Sequence, residues 1–260
     1  MQLEKAVVLV TGGSRGIGRS TAELLARRGA RVVCVGRDEA ALRQVEGAVG
    51  ATALTADLRL VEAADGVIAW ALDRHGRLDG VVAGAGVGHA GPAVDMAADR
   101  VAELVDINVR APLLLARSAL VAFRDQAAAG DVRDRGLAFV TSIAGLVGVP
   151  GESVYSAGKQ AVQSFAGLLR EEVRVDPRLT GVSISTVVPG VVDTDFFAHR
   201  GAPYDRRWPR PIPPARVAAA VVDALERGTP GTVVPRWLAL PTWLSAALPG
   251  PYRAIARRLS

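Results

Sequence analysis

Several residue types are scarce in this chain, and each scarcity excludes something. A single cysteine, Cys34, rules out an internal disulfide and a cysteine-built zinc site. The three histidines, His75, His89 and His199, are too scattered for a His-rich metal motif, so no metal is expected. Apolar stretches without charge reach only about 16 residues and contain prolines and glycines, short of the ~20 needed to span a bilayer. No basic, apolar leader precedes the first strand, and a soluble, cytoplasmic protein is expected. Disorder is excluded from the other side: half of the 260 residues are apolar, and the 28 glycines and 15 prolines follow no period.

The formal net charge of +5 is unevenly divided. Residues 1–198 carry 21 Lys+Arg against 23 Asp+Glu, whereas residues 199–260 carry 10 against 3. A basic excess confined to the C-terminal end does not suggest nucleic acid as a partner. It reads first as a solvated rim, with a basic edge near an anionic ligand or a membrane surface as the alternatives.

Short apolar runs alternate with helix-length stretches as far as about residue 190. Runs 7–10, 31–35, 51–54, 80–83, 137–141 and 182–188 are apolar on both faces, the mark of strands in a parallel sheet covered on both sides. Helices are predicted near 16–28, 38–48, 59–75, 97–127, 152–174 and 214–227, and a last strand at 232–234. The alternation predicts an α/β fold, a Rossmann-type doubly wound parallel sheet of about seven strands. No linker or repeat divides the chain, so residues 1–260 are read as one dinucleotide-binding domain. Within it, 199–260 form a substrate lid, the last strand and a tail; 199–213 are Pro/Arg-rich, aperiodic and read as mobile.

The run Thr11-Gly12-Gly13-Ser14-Arg15-Gly16-Ile17-Gly18 follows the first strand and opens the first helix. Glycines suit a turn where a pyrophosphate must approach backbone N–H groups at a helix N-terminus. The same spacing recurs at Gly80, Gly84 and Gly86, but the residues after it cannot begin a helix promptly, so that copy is set aside as a decoy. A site preferring NAD places an acid at the end of the second strand. Here the strand ends Gly36-Arg37-Asp38. Gly36 leaves the place uncharged and Arg37, flanked by Arg15, offers a planar cation to a 2′-phosphate. NADP(H) is therefore expected over NAD(H). Asp38 reads as the cap of the following helix.

Only three tyrosines and two lysines occur, yet Lys159 follows Tyr155 by four residues, on the same face of a predicted helix. A chain that uses arginine for nearly every cation needs a reason to keep a lysine. An ammonium can sit beneath a phenol and also donate to ribose hydroxyls. Lowering a tyrosine from its ordinary value near 10 to neutrality takes ~4 kcal/mol of preferential phenolate stabilisation. The neighbouring ammonium and a positive nicotinamide are expected to supply it.

Together these residues make the chain resemble the short-chain dehydrogenase/reductases, over roughly residues 5–198. The motifs stand in the family's order: the glycine loop, Asp57-Leu58 after the third strand, Asn108 in the fourth helix, Ser142 thirteen residues before Tyr155, and Pro189-Gly190 and Thr194 after the sixth strand. The family's Asn-Asn-Ala-Gly after strand four reads Ala83-Gly84-Ala85-Gly86 here. The resemblance implies exchange of hydride between a nicotinamide and a carbonyl or secondary alcohol. Tyr155 would act as acid and base, Ser142 on the reacting oxygen, Lys159 beneath the tyrosine, and Asn108 as anchor for a relay water. It implies that Gly12, Ser14, Arg15, Gly16, Ile17 and Gly18 cradle the pyrophosphate. Asp57 and Leu58 would meet the adenine, and Ala83 and Ala85 would border the dinucleotide. Pro189, Gly190, Val192 and Thr194 would hold the nicotinamide side, with Tyr155 and Lys159. A homodimer or homotetramer through the two long helices is implied as well.

Three of the four tryptophans, Trp208, Trp237 and Trp243, lie in the tail, in an apolar segment continuing through Leu248, Tyr252 and Ile255 to Arg253, Arg257 and Arg258. Subunit packing or a C-terminal core helix, a wall for a bulky apolar substrate, and an interfacial helix on anionic lipid are the three readings. A bulky apolar alcohol or ketone is the expected substrate. The alternatives to an enzyme are a non-catalytic dinucleotide-binding sensor and a lipid-surface protein.

Overall fold

The fold is described from a computed structural model, which covers residues 1–205, 209–248 and 250. Strand β1 (Val7–Thr11) leads through α1 (Gly16–Arg27), β2 (Arg31–Gly36), α2 (Glu39–Val49), β3 (Thr52–Thr55) and α3 (Ala63–His75) to β4 (Gly80–Ala83). Next come α4 (Ala98–Val105), a π turn over Asp106–Arg110, α5 (Ala111–Ala128) and β5 (Arg135–Val140). The one-turn α6 (Ala144–Val147), the long α7 (Ser153–Val175), β6 (Val182–Pro189) and the one-turn α8 (Phe196–His199) follow. The last elements are α9 (Pro214–Arg227), β7 (Gly231–Val234) and α10 (Ala239–Ala247).

All seven strands are parallel, in the order β3-β2-β1-β4-β5-β6-β7. The strand residues sort by parity, as a pleated sheet buried on both faces requires. Val7, Leu9, Val33, Val35, Val81, Leu137 and Phe139 face one core, closed by residues such as Val67, Leu115, Phe123 and Val162 of α3, α5 and α7. Val8, Val10, Val32, Cys34, Val82 and Ala138 face the other, closed by Leu25, Leu42, Val45, Val221 and Leu225 of α1, α2 and α9. Helix ends carry the expected punctuation. Gly50, Gly76 and Gly228 take left-handed conformations after α2, α3 and α9, and Pro214 opens α9.

The differences from the sequence reading have local causes. Strand β5 starts at Arg135, two residues before the apolar run, because that arginine is buried. It donates to the Asp131 and Arg133 carbonyls and pairs with the Asp131 carboxylate at 3.1 Å. The predicted helix 97–127 is interrupted by the π turn. Pro112 has no N–H to give the Asn108 carbonyl four residues back, and the Ala111 N–H reaches Asp106 instead. The described part of 199–213 is aperiodic but anchored. Arg200 pairs with Glu152 and stacks on Phe197 (4.6 Å), and the Tyr204 hydroxyl donates to the Pro209 carbonyl at 2.8 Å.

The sheet reverses direction of winding between β1 and β4, with Thr11 opposite Ala83. The loops leaving β1, β4, β5 and β6 therefore share one rim, the place where open α/β sheets hold ligands.

Candidate active site

Those loops enclose a cleft of about 950 Å³. The glycine loop forms one wall, and its glycines are there because neighbouring backbone leaves no room. A Cβ at Gly18 would lie 2.1 Å from the Gly12 carbonyl oxygen; one at Gly12, whose φ is +69°, would lie 3.0 Å from the Ala85 backbone. No side chain caps α1, and Gly16, Ile17 and Gly18 in its first turn line the cleft. By contrast the Asp38 carboxylate caps α2, accepting from Ala41 N at 3.0 Å. The open helix end and the bare backbone together fit a phosphate group, so the residues present suit a dinucleotide.

The loop after β4, set aside as a decoy on its sequence, is part of the site. The Thr11 hydroxyl accepts from the Gly84 and Ala85 N–H groups (3.1 and 3.3 Å) and donates to the Val82 carbonyl (3.2 Å). Thr11 thus braces a loop that lacks the family's asparagines. A Cβ at Gly86 would meet Asn108 Oδ1 at 2.8 Å and Lys159 Nζ at 3.3 Å, so only glycine keeps the space between them open. The third glycine of the decoy was the available signal, since it coincides with the Gly of the family's Asn-Asn-Ala-Gly.

Helix α7 delivers Tyr155 and Lys159 to the cleft floor, both buried. Lys159 Nζ lies 5.8 Å from the phenol ring centroid and donates to the Val140 carbonyl at 3.2 Å. Ser142, just past β5, hydrogen-bonds Tyr155 and accepts from Ala144 N at 3.2 Å. Phe196 of α8 packs on the tyrosine ring at 5.4 Å. Burial pushes the Tyr155 phenol up to about 12; the Ser142 bond and Arg200 oppose it, and Glu152 adds to it. Burial also lowers the Lys159 ammonium to about 8. In the protein alone desolvation dominates both groups, whereas the expected fall of the phenol calls on a bound nicotinamide beside the ammonium.

Other expected residues separate into two groups. Ser14, Arg37, Leu58, Ala85, Pro189, Gly190, Val192 and Thr194 line the cleft, with Thr194 packed against Gly16. Asp57 does not: its carboxylate is taken by Arg59, which holds it below the usual range. Ala83 is buried at the end of β4, and Gly84 occupies the wall in its place. Arg15 lines the cleft but is already paired with Asp38, and its other arm meets His199 Nε2 at 3.3 Å. Asn108 is buried behind the wall. Its side-chain amide is spent on Val87, accepting from the N–H at 3.1 Å and donating to the carbonyl at 2.8 Å, so the side chain braces this loop. Sequence reasoning missed Phe196, Phe197 and Arg200, which carry no motif and reach the cleft only through the fold, and Glu152, whose place three residues before Tyr155 was the available signal.

A profile of the family described as short chain dehydrogenase matches residues 6–205. The chain belongs to that family. An uncharacterized oxidoreductase of Myxococcus xanthus is 35% identical over 99% of both chains, and one of Staphylococcus aureus is 30% identical over 86% of this chain and 92% of its own. Among solved structures, a 3-ketoacyl-(acyl-carrier-protein) reductase from Brucella melitensis complexed with NADH is 25% identical at a TM-score of 0.81, covering 90% of this chain and 99% of that one. A short chain dehydrogenase/reductase from Burkholderia phymatum in complex with NAD shares the fold at a TM-score of 0.83 and 20% identity, over 95% of each chain. This chain is accordingly a short chain dehydrogenase, a family whose relatives include oxidoreductases. Among its described residues no helix is long and apolar enough to cross a membrane.

Proposed function

We propose that this dehydrogenase interconverts a carbonyl and a secondary alcohol on a bulky apolar substrate, with NADP(H) preferred and Tyr155 as proton donor and acceptor. The observation that carries the reading is the convergence of Tyr155, Ser142 and Lys159 on the cleft that the glycine loop walls. The glycine loop would hold the pyrophosphate, Leu58 the adenine, and Pro189, Gly190, Val192 and Thr194 the nicotinamide side, with Lys159 on the ribose. When bound, the nicotinamide supplies hydride in reduction and takes it in oxidation.

The protein's own part is the proton. With its phenol at about 12, Tyr155 is fully protonated at neutral pH and ready to donate to a carbonyl oxygen. Ser142 stabilises negative charge on the same oxygen by a second hydrogen bond. In oxidation Tyr155 takes up the proton as phenolate, a form that burial disfavours in the protein alone. Asn108 acts as a positioning residue, fixing the Val87 loop against Gly86 and Lys159.

The dinucleotide preference rests on Gly36, which leaves the end of β2 uncharged, and on Arg37 at the cleft edge. Val147, Val149, Phe197 and Trp237 line the substrate end, which supports an apolar molecule. Exposed Val105 at the end of α4 and Leu168 and Val175 on α7 support a homo-oligomer through these helices. The test is Tyr155→Phe, assayed on a panel of ketones and polyols by nicotinamide absorbance. Reduction of apolar ketones should fall about 10²–10⁴-fold while NADPH binding persists. Retained turnover would refute the catalytic role, and preference for small polyols would refute the substrate class.

A further inference from the structure

Helix α10 is an apolar helix that buries none of its residues. Leu240, Trp243 and Leu248 are 63%, 64% and 53% exposed, and Trp237 just before the helix is 45% exposed. The sequence has no charged residue from Trp237 to Tyr252. A core helix, which the first reading of this segment offered beside subunit packing, would turn such residues inward. Here α10 rests on α6, with Ser245 Oγ donating to the Leu146 carbonyl at 3.4 Å, and turns its leucine and tryptophan side chains to solvent. Trp237 and Pro241 meanwhile line the cleft, so the exposed face adjoins the cleft entrance.

Charge decides what fits this face. From Arg227 to Ser260 the chain has five arginines (227, 236, 253, 257 and 258) and no aspartate or glutamate. A second copy meeting the same patch about a two-fold axis would set Arg236 and its basic segment against their own kind, with no acid from the segment between them; Arg253, Arg257 and Arg258 of that segment, with Tyr252 and Ile255, lie outside the described residues. An anionic lipid surface satisfies both features. Tryptophan and leucine enter the headgroup–acyl boundary, and Arg236, exposed beside Trp237, meets lipid phosphates.

We infer that α10 docks this protein peripherally on an anionic bilayer, with the cleft entrance beside the membrane. The helix lies in the interface and does not span it. This inference is independent of the proposed chemistry, because docking is read without turnover.

The full chain should co-sediment with vesicles of phosphatidylcholine containing about one-third phosphatidylglycerol and at least about tenfold less with phosphatidylcholine alone, the binding weakening as salt rises. Tryptophan emission should shift to the blue on binding. The variant Leu240→Ser/Trp243→Ser changes two exposed side chains outside the cleft. It should lose anionic binding about tenfold or more while keeping wild-type thermal unfolding and dinucleotide affinity. Failure to bind either vesicle, or binding that ignores lipid charge or this variant, overturns the inference. So does a concentration-dependent oligomer that the variant breaks, for then a second copy covers the face.

Discussion

Lys159→Met offers a direct test of how the site holds its charge. The ammonium is buried with a single carbonyl acceptor, Val140 O, and titrates at about 8 where a free lysine titrates near 10.5. Between those values the unfolded chain binds the proton and the native one releases it, so stability rises with pH across that window. Below it the wild type carries the whole penalty, about 3 kcal/mol from the displacement of the titration. Methionine has similar length and no charge to desolvate. The variant should therefore be more stable than wild type at pH 7 by up to about 3 kcal/mol, less ~1 kcal/mol for the Val140 carbonyl left unpaired. By pH 9.5 the advantage should shrink by about 2 kcal/mol, because the wild type has by then shed the buried charge. Contributions from Cys34 and Tyr155, which titrate at about 12 in the fold, are common to both proteins and cancel in the difference. Urea unfolding of both proteins from pH 7 to 9.5, without cofactor, measures this. A stability difference that stays flat with pH, or a variant less stable throughout, would refute a buried ammonium. The same variant should have lost turnover, a stability gained at the expense of function.

Arg37→Ala should raise the KM for NADPH about 10–100-fold and leave that for NADH nearly unchanged, the loss expected for one charge-assisted bond to phosphate. Equal losses for both dinucleotides would remove the 2′-phosphate assignment. Gly18→Ala drives a Cβ to 2.1 Å from the Gly12 carbonyl oxygen, a contact that neither backbone can yield cheaply. A destabilisation of about 1–3 kcal/mol and dinucleotide binding weakened at least about 100-fold are expected, read by denaturant unfolding and isothermal titration. Cys34, whose thiol burial pushes up to about 12, should be inert to thiol reagents in the native protein and react once the chain is unfolded. Fast native labelling would contradict its place beneath the glycine loop.

The fold and the chemistry-bearing motifs were legible in the amino-acid order because they depend on local pattern. Strands buried on both faces read as short apolar runs, and the Tyr155–Lys159 spacing follows from one turn of helix. What the tertiary structure alone decided is where burial and charge partners fall. Phe196 and Arg200 meet Tyr155, and Arg200 pairs with Glu152 at the start of α7, only because α8 folds back over α7, and no spacing rule connects residues more than 40 positions apart. Asp57 turns to Arg59, Arg15 to Asp38, and the Asn108 amide to Val87, because each polar group takes the nearest partner the packing offers. In the protein alone burial raises the phenol, and desolvation depends on how completely water is excluded. That quantity is set by the assembled cleft and has no signature in the order of residues.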